Sequence, residues 1–204
     1  MTDVKPIRIG VLALQGAFTE HLHHFAKLST PAQPIDARAV RTSAQLDDID
    51  ALVIPGGEST SMCILAEKSG LLEPLRAWTR RRPVWGTCAG MILLANAVVG
   101  AAPILGGLDV TVRRNAFGTQ VDSFAAELQL GGPMAGGAPF PGVFIRAPVV
   151  EAVTGDVHVL CTLADDAVVA VRQGLVLATA FHPELTRDDR LHRYFVDMII
   201  GAGQ

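Results

Sequence analysis

The sequence predicts an α/β three-layer sandwich: a mostly parallel central sheet with helices on both faces, plus antiparallel strands in the C-terminal half. Short, nearly continuous apolar runs alternate with longer helical segments through the first half, which is the rhythm of βαβ units. Several of these runs stop at glycine, in Gln15-Gly16, Pro55-Gly56-Gly57 and Gly86, where a buried strand would turn toward a helix. From Leu108 onward, strand-like segments follow one another with no helix between them.

The elements follow in order. Arg8 to Leu14 is apolar enough for a strand buried on both faces, and Ala17 to Leu28 reads as a helix broken by the prolines of Thr30 to Pro34. Ile35 to Val40 and Ala51 to Ile54 are strands. Glu58 to Lys68 is a helix with Ser59 or Thr60 as its cap. Leu71 to Arg81 is a second helix; Val84-Trp85-Gly86 is a brief strand, and Ala89 to Val98 is read as helix throughout. Leu108 to Val112, Phe124 to Leu130, Val143 to Ile145, Val157 to Leu163, Ala167 to Arg172 and Leu175 to Phe181 read as strands, the last two joined by a tight Gln173-Gly174 turn. Gly131 to Gly142, with five glycines and three prolines, is a loop, and Asp188 to Ile200 is a closing helix.

Composition narrows the classes. The 204 residues suit one domain, on the prior of roughly 100–200 residues each, so residues 1–204 are expected to form a single domain. Half of the residues are hydrophobic and 18% are charged, which excludes a disordered tail. The net charge is −3, without the basic stripe of a nucleic-acid binder; Arg80-Arg81-Arg82 before Pro83 reads as a solvated helix end. No stretch reaches the ~18 apolar residues of a membrane span. Cysteines 63, 88 and 161 cannot all pair, which fits a reducing compartment, and a soluble cytoplasmic protein is expected.

One of those cysteines stands apart. Gly86-Thr87-Cys88-Ala89-Gly90 lies between a strand and an apolar helix, in the G-x-nucleophile-x-G form that lifts a reactive side chain above a sheet. The start of the following helix favours the negatively charged thiolate, the reactive form of the residue. Such a nucleophile needs a proton shuttle. His182 emerges just after a predicted strand, at the sheet edge where ligands gather in α/β folds, and Glu184 is placed to orient it. Pro55-Gly56-Gly57-Glu58-Ser59-Thr60 offers backbone N–H groups to a ligand, alone equally suited to a phosphate or an oxyanion. It lacks the Gly-Lys-Ser/Thr of a nucleotide loop.

Other features read more plainly. His21, His23 and His24 lack the carboxylate or thiolate company of a zinc site and are expected at the surface. Cys63 and Cys161 are expected in the core. Arg114 and Arg146 suit either a substrate carboxylate or surface ion pairs.

Together, the Cys88 elbow and His182-x-Glu184 resemble the class I, triad-type glutamine amidotransferases. Leu14-Gln15-Gly16-Ala17, Pro55-Gly56-Gly57-Glu58-Ser59-Thr60, Arg114-Asn115-x-Phe117-Gly118, Val143-Phe144-Ile145-Arg146-Ala147-Pro148 and His182-Pro183-Glu184-Leu185-Thr186 narrow the resemblance to the family of glutaminase subunits of pyridoxal 5′-phosphate synthase. The resemblance runs from about Ile7 to Ile199. It implies that Cys88 is the nucleophile, His182 the general acid and base, and Glu184 its orienting partner, with oxyanion-hole amides from Gly57 and Ala89. It further implies a glutamine pocket of Gly57, Glu58, Ser59, Arg114, Ile145 and Arg146, with Gln15 near the active site and partner contact. By the same resemblance, ammonia from L-glutamine passes to a synthase subunit that builds the B6 vitamer, that partner orders the loop at Gly56-Gly57, and the glutaminase half needs no cofactor or metal. The Lys27 to Ile35 and Gly131 to Gly142 connections are longer than the family's usual form. Three alternatives stay open here: a glutaminase subunit serving a different acceptor, a cysteine hydrolase on a similar sheet, and a non-catalytic scaffold that kept the elbow.

Overall fold

The computed structural model describes residues 4–117 and 123–203; Gly118 of the family motif lies outside them. In chain order the elements are β1 (Ile7–Leu12), α1 (Phe18–Leu28), β2 (Ile35–Val40), α2 (Ala44–Asp47), β3 (Ala51–Ile54), α3 (Ser59–Lys68), α4 (Leu72–Thr79), β4 (Val84–Thr87), α5 (Ala89–Leu94), β5 (Ala95–Val98), β6 (Leu108–Arg113), β7 (Ser123–Leu128), β8 (Phe140–Ile145), β9 (Val149–Val153), β10 (His158–Thr162), β11 (Val168–Gln173), β12 (Val176–Thr179) and α6 (Arg190–Ala202).

The main sheet runs β2-β1-β3-β4-β12-β11-β9-β6-β5, with β10 paired to β11 off that path. From β2 to β12 every neighbour is parallel, as is the β5–β6 pair at the far end. Antiparallel pairing is confined to the C-terminal strands around β9 and β11. The predicted mixture of a parallel centre with antiparallel additions is therefore present. The strands β3, β4 and β12 are buried at every residue, as both-face coverage demands.

Side-chain alternation along β4 shows the layers. Trp85 packs against His21 of α1 and against His192 and Phe195 of α6. Gly86, pointing the other way, lies against Gly90 and Leu94 of α5. Helices α1 and α6 thus cover one face and α5 the other, with a core of Ile, Leu, Val and aromatic side chains between them. A separate two-stranded ribbon, β7–β8, is joined to the main body where the amide of His182 donates to the carbonyl of Val143.

Several expectations are corrected. The apolar segment Ala89 to Val98 is helix only to Leu94; its last four residues form β5, paired with β6. A continuous apolar run satisfies a buried helix and a buried strand equally, so composition could not mark the change. The strand β9 and the short α2 were not anticipated. The Gly131 to Gly142 loop holds a 3₁₀ turn at Gly132–Met134, and its last three residues already belong to β8. The cap of α3 is Glu58, whose carboxylate accepts from the amides of Thr60 and Ser61 at 2.9 and 2.6 Å, rather than Ser59 or Thr60.

Candidate active site

The parallel pair β4–β12 builds the site. Its register sets Thr87 beside Thr179, so Cys88, directly after β4, and His182, three residues past β12, leave the same sheet edge side by side. Cys88 has φ 48° and ψ −105°, a conformation that side-chain-bearing residues rarely adopt. Such local strain is held only where the surroundings impose it, and it concentrates at functional sites. The flanking glycines make the turn possible. A Cβ on Gly86 would lie 2.5 Å from the backbone of Gly90, and one on Gly90 would collide with the carbonyl of Ile54 in β3. Cys88 as a residue is only 6% exposed, and its thiol donates weakly to the carbonyl of Ile145 at 3.8 Å.

His182 is the next piece. Its Nδ1 is 2.7 Å from Oε1 of Glu184, whose side chain is wholly buried. Burial disfavours a charged imidazole, but interaction with Cys88 and the hydrogen bond and charge of Glu184 outweigh it, raising the pKa from 6.5 to about 10. Burial likewise works against the Glu184 carboxylate, yet the hydrogen bond from His182 prevails and keeps its pKa below the ordinary value. At neutral pH the pair is imidazolium and carboxylate, poised to give a proton to a leaving group.

In front of this pair lies a cleft of about 570 Å³, inside the range of about 300–1,000 Å³ typical of small-molecule sites. Every residue expected around substrate lines it: Gly57, Glu58, Ser59, Arg114, Ile145 and Arg146, together with Cys88, Ala89 and His182. Arg114 and Arg146 are both exposed at the rim of this cleft. Arg146 and Asn115 both have positive φ, 46° and 49°, so the cleft's far wall is also locally strained. Sequence reasoning missed Ile92, Val99, Arg113 and Asn115 in this lining. Adjacency to Arg114 was the available signal for Arg113 and Asn115; nothing in the sequence distinguished Ile92 or Val99 from core residues.

Gln15 does not line the cleft. It holds the neighbouring loop instead: its Oε1 accepts from the amide of Glu58 at 3.1 Å. Gly16, at φ 89°, packs so closely on the carbonyl of Gly56 that a Cβ there would overlap it. The segment from Gly56 to Glu58 is thus clamped from behind.

Two of the three histidines of α1 depart from the surface expectation and the third meets it. His21 and His24 are buried, not at the surface, and only His23 is exposed. They pack against His192 of α6, which no local pattern marked. Cys161 is buried as expected, whereas Cys63 is only half-buried. Among the described residues, no cluster of three or more His, Cys, Asp or Glu could hold a metal ion, and no helix is long and apolar enough to cross a membrane.

A cysteine on a strained turn, a buried His–Glu pair and a cleft lined by both charged and apolar side chains are the parts that acyl transfer through a thiol requires. Residues 11–201 match the SNO glutamine amidotransferase family. The chain belongs to that family. Its similarity extends over full-length relatives. The "Pyridoxal 5'-phosphate synthase subunit PdxT" of Frankia alni is 53% identical over 200 residues, covering 96% of each chain. The protein of the same name from Corynebacterium jeikeium is 51% identical over 199 residues, covering 96% of this chain and 98% of the relative. A solved structure described as a glutamine amidotransferase superposes with a TM-score of 0.83 at 46% identity, covering 94% of this chain and 98% of the other. Membership in the SNO glutamine amidotransferase family makes the protein an enzyme. It also accounts for the elbow, which a phosphate-binding reading of the Gly56-Gly57 loop left unexplained.

Proposed function

We propose that this protein is the glutaminase subunit of a pyridoxal 5′-phosphate synthase, acting as one amidotransferase domain over residues 1–204 in the cytoplasm. It hydrolyses L-glutamine and passes the ammonia to a synthase subunit for vitamin B6 biosynthesis. The observation that carries the chemistry is the β4–β12 register, which sets Cys88 beside a buried His182–Glu184 pair within one cleft. The partner and product rest on relatives that carry the synthase name at about half identity over nearly the whole chain.

In this reading Cys88 attacks, as thiolate, the side-chain amide carbon of glutamine. The amides of Gly57 and Ala89 hold the developing oxyanion. His182, charged at rest, delivers its proton to the departing nitrogen, so ammonia leaves and a γ-glutamyl thioester remains. The now neutral His182 takes a proton from water, which attacks the thioester; its collapse returns the thiolate and releases glutamate. Glu184 fixes the imidazole and offsets its charge throughout. The substrate's α-carboxylate meets Arg114 and Arg146, and Glu58 and Ser59 lie within reach of its amino end. The weak net charge suits such a zwitterion, with no nucleic acid or membrane as partner.

Replacing Cys88 with Ala tests this directly. Glutamate release, assayed with and without the synthase subunit, should vanish while the variant still folds and binds that subunit. Retained hydrolysis in Cys88→Ala would remove the cysteine from the mechanism.

A further inference from the structure

Behind the triad carboxylate lies a chain of buried histidines that the proposed mechanism does not use. Oε2 of Glu184 is buried and, among the described residues, has no hydrogen-bond partner; Nε2 of His21 lies 3.4 Å from it and also 3.4 Å from the hydroxyl of Thr87. Nδ1 of His21 is in turn 2.9 Å from Nε2 of His192. His192 is held rigidly, stacked on His24 at 4.2 Å and 11°, with the edges of Trp85 and Phe25 around it. His24 is anchored by Asp189 and by the carbonyl of Glu184.

The hydrogen-bond inventory selects one proton arrangement. If His21 carried its proton on Nδ1, it would donate to His192. His192 would then bury an N–H on Nδ1 with no acceptor, and Nε2 of His21 would turn a lone pair toward Oε2 of Glu184, with the Thr87 hydroxyl, 3.4 Å from that nitrogen, as the group able to donate to it. Orphaned buried N–H groups are rare. With the proton on Nε2 of His21, His192 donates to His21, the His21 N–H lies 3.4 Å from both Oε2 of Glu184 and the hydroxyl of Thr87, and Nδ1 of His192 is left as an unpaired acceptor rather than an orphaned donor. Burial, partly offset by Glu184, lowers the His21 pKa to about 4, so the ring is neutral at working pH. It adds no charge to compete with His182 for the carboxylate.

We propose that His21 is a positioning residue for the glutaminase reaction: its neutral Nε2–H is the second donor to Glu184, locking the carboxylate so that Oε1 accepts from His182, and His192 fixes its tautomer. This rests on the reading of Cys88, His182 and Glu184 as a triad, and the test separates the two. In wild-type protein with ¹⁵N-labelled imidazoles, multiple-bond ¹⁵N–¹H spectra should show His21 in the Nε2–H form and neutral across the active pH range. The Nδ1–H form overturns the proposal, whatever the kinetics. In steady-state glutamine hydrolysis with the synthase subunit present, His21→Phe should lower kcat by about ten- to a hundredfold, since a misplacement of about 1 Å costs up to ~10²-fold. KM should stay within about twofold, because His21 touches no substrate. His21→Gln, which restores an N–H donor, should recover most of the lost kcat. Equal losses in the two variants, or wild-type kcat in His21→Phe, overturn the proposal. Failure of wild-type Cys88 to react with an electrophilic glutamine analogue sinks the triad reading instead.

Discussion

A single methyl group placed on Gly56 should disarm the site without replacing any group proposed to do chemistry. Gly56 has no positive φ, so the backbone angle does not demand glycine there; space does. A Cβ built at this position lies 2.9 Å from Nδ1 of His182, closer still to its Cε1, and 3.4 Å from Cβ of Cys88. Ordinary carbon contacts begin near 3.5 Å, so clearing Cε1 requires the imidazole or the loop to move by about one ångström. The loop cannot retreat, since its carbonyl already rests on Gly16 and its far end is held by Gln15. The ring therefore swings, stretching the 2.7 Å bond to Glu184. A shift of this size in a proton-transfer group lowers kcat by about ten- to a hundredfold, and overpacking costs about 1–3 kcal/mol of stability. The assay is glutamate release by Gly56→Ala alongside thermal melting, with the His182 imidazole followed by NMR. Its pKa should fall from about 10 as its contacts loosen. Gly70→Ala is the control: that glycine, at φ 69°, has nothing within 4 Å of its Cβ and should lose about 1 kcal/mol to strain while keeping full activity. Wild-type kcat in Gly56→Ala would refute the argument that the loop and the imidazole are in fixed contact.

The remaining predictions follow from the same contacts. Glu184→Gln keeps the shape but not the charge, so the His182 pKa should drop toward 6.5 and kcat should fall by about 10²- to 10⁴-fold, measured by NMR titration and hydrolysis rates. An unmoved His182 titration contradicts it. Glu58→Ala removes the cap of α3 and should cost about 1 kcal/mol, seen as a melting point lower by about 2–4 °C, with a smaller loss in Glu58→Gln. The pKa of His182 is higher in the folded protein than its ordinary 6.5, so its stabilising contribution is complete below pH 6.5 and disappears as pH rises through about 10. Urea titrations should show the margin of wild type over His182→Gln shrinking across that window; a margin that grows with pH reverses the sign. His21 behaves oppositely: its lowered pKa gives stability that is present above pH 6.5 and is lost as pH falls through about 4.

Much of this was legible in the sequence because the physics was local. A strand buried on both faces must be apolar throughout, and β3 and β4 announce themselves in Ala51 to Ile54 and Val84 to Trp85. The elbow needs small residues beside Cys88, and Gly86 and Gly90 supply them within five positions. What stayed hidden was set by partners distant in the chain. The strand β9 joins β11 through a single registered pair, Val168 with Val150, and leaves three of its five residues exposed, so no alternation marked it. His21, His24, Phe25 and Leu28 do repeat at helical spacing, which was a readable sign of one buried face. Why that face tolerates histidine was not readable, because the answer is His192, 171 residues later.

The position of β12 between β4 and β11 also governs when the protein can become active. During synthesis the elbow is complete once α5 has formed, yet the edge of β4 that β12 will occupy stays open until residues 176–179 emerge from the ribosome. An open edge on a fully buried strand is a template for wrong pairing, so the unfinished chain carries its aggregation hazard and its proposed nucleophile at the same place. The closing strand removes both problems in one step: it seals the edge and delivers His182 to Cys88. Nascent chains halted before β12 should therefore be inert toward glutamine and prone to aggregate, and competence should arrive only with the last strand of the sheet.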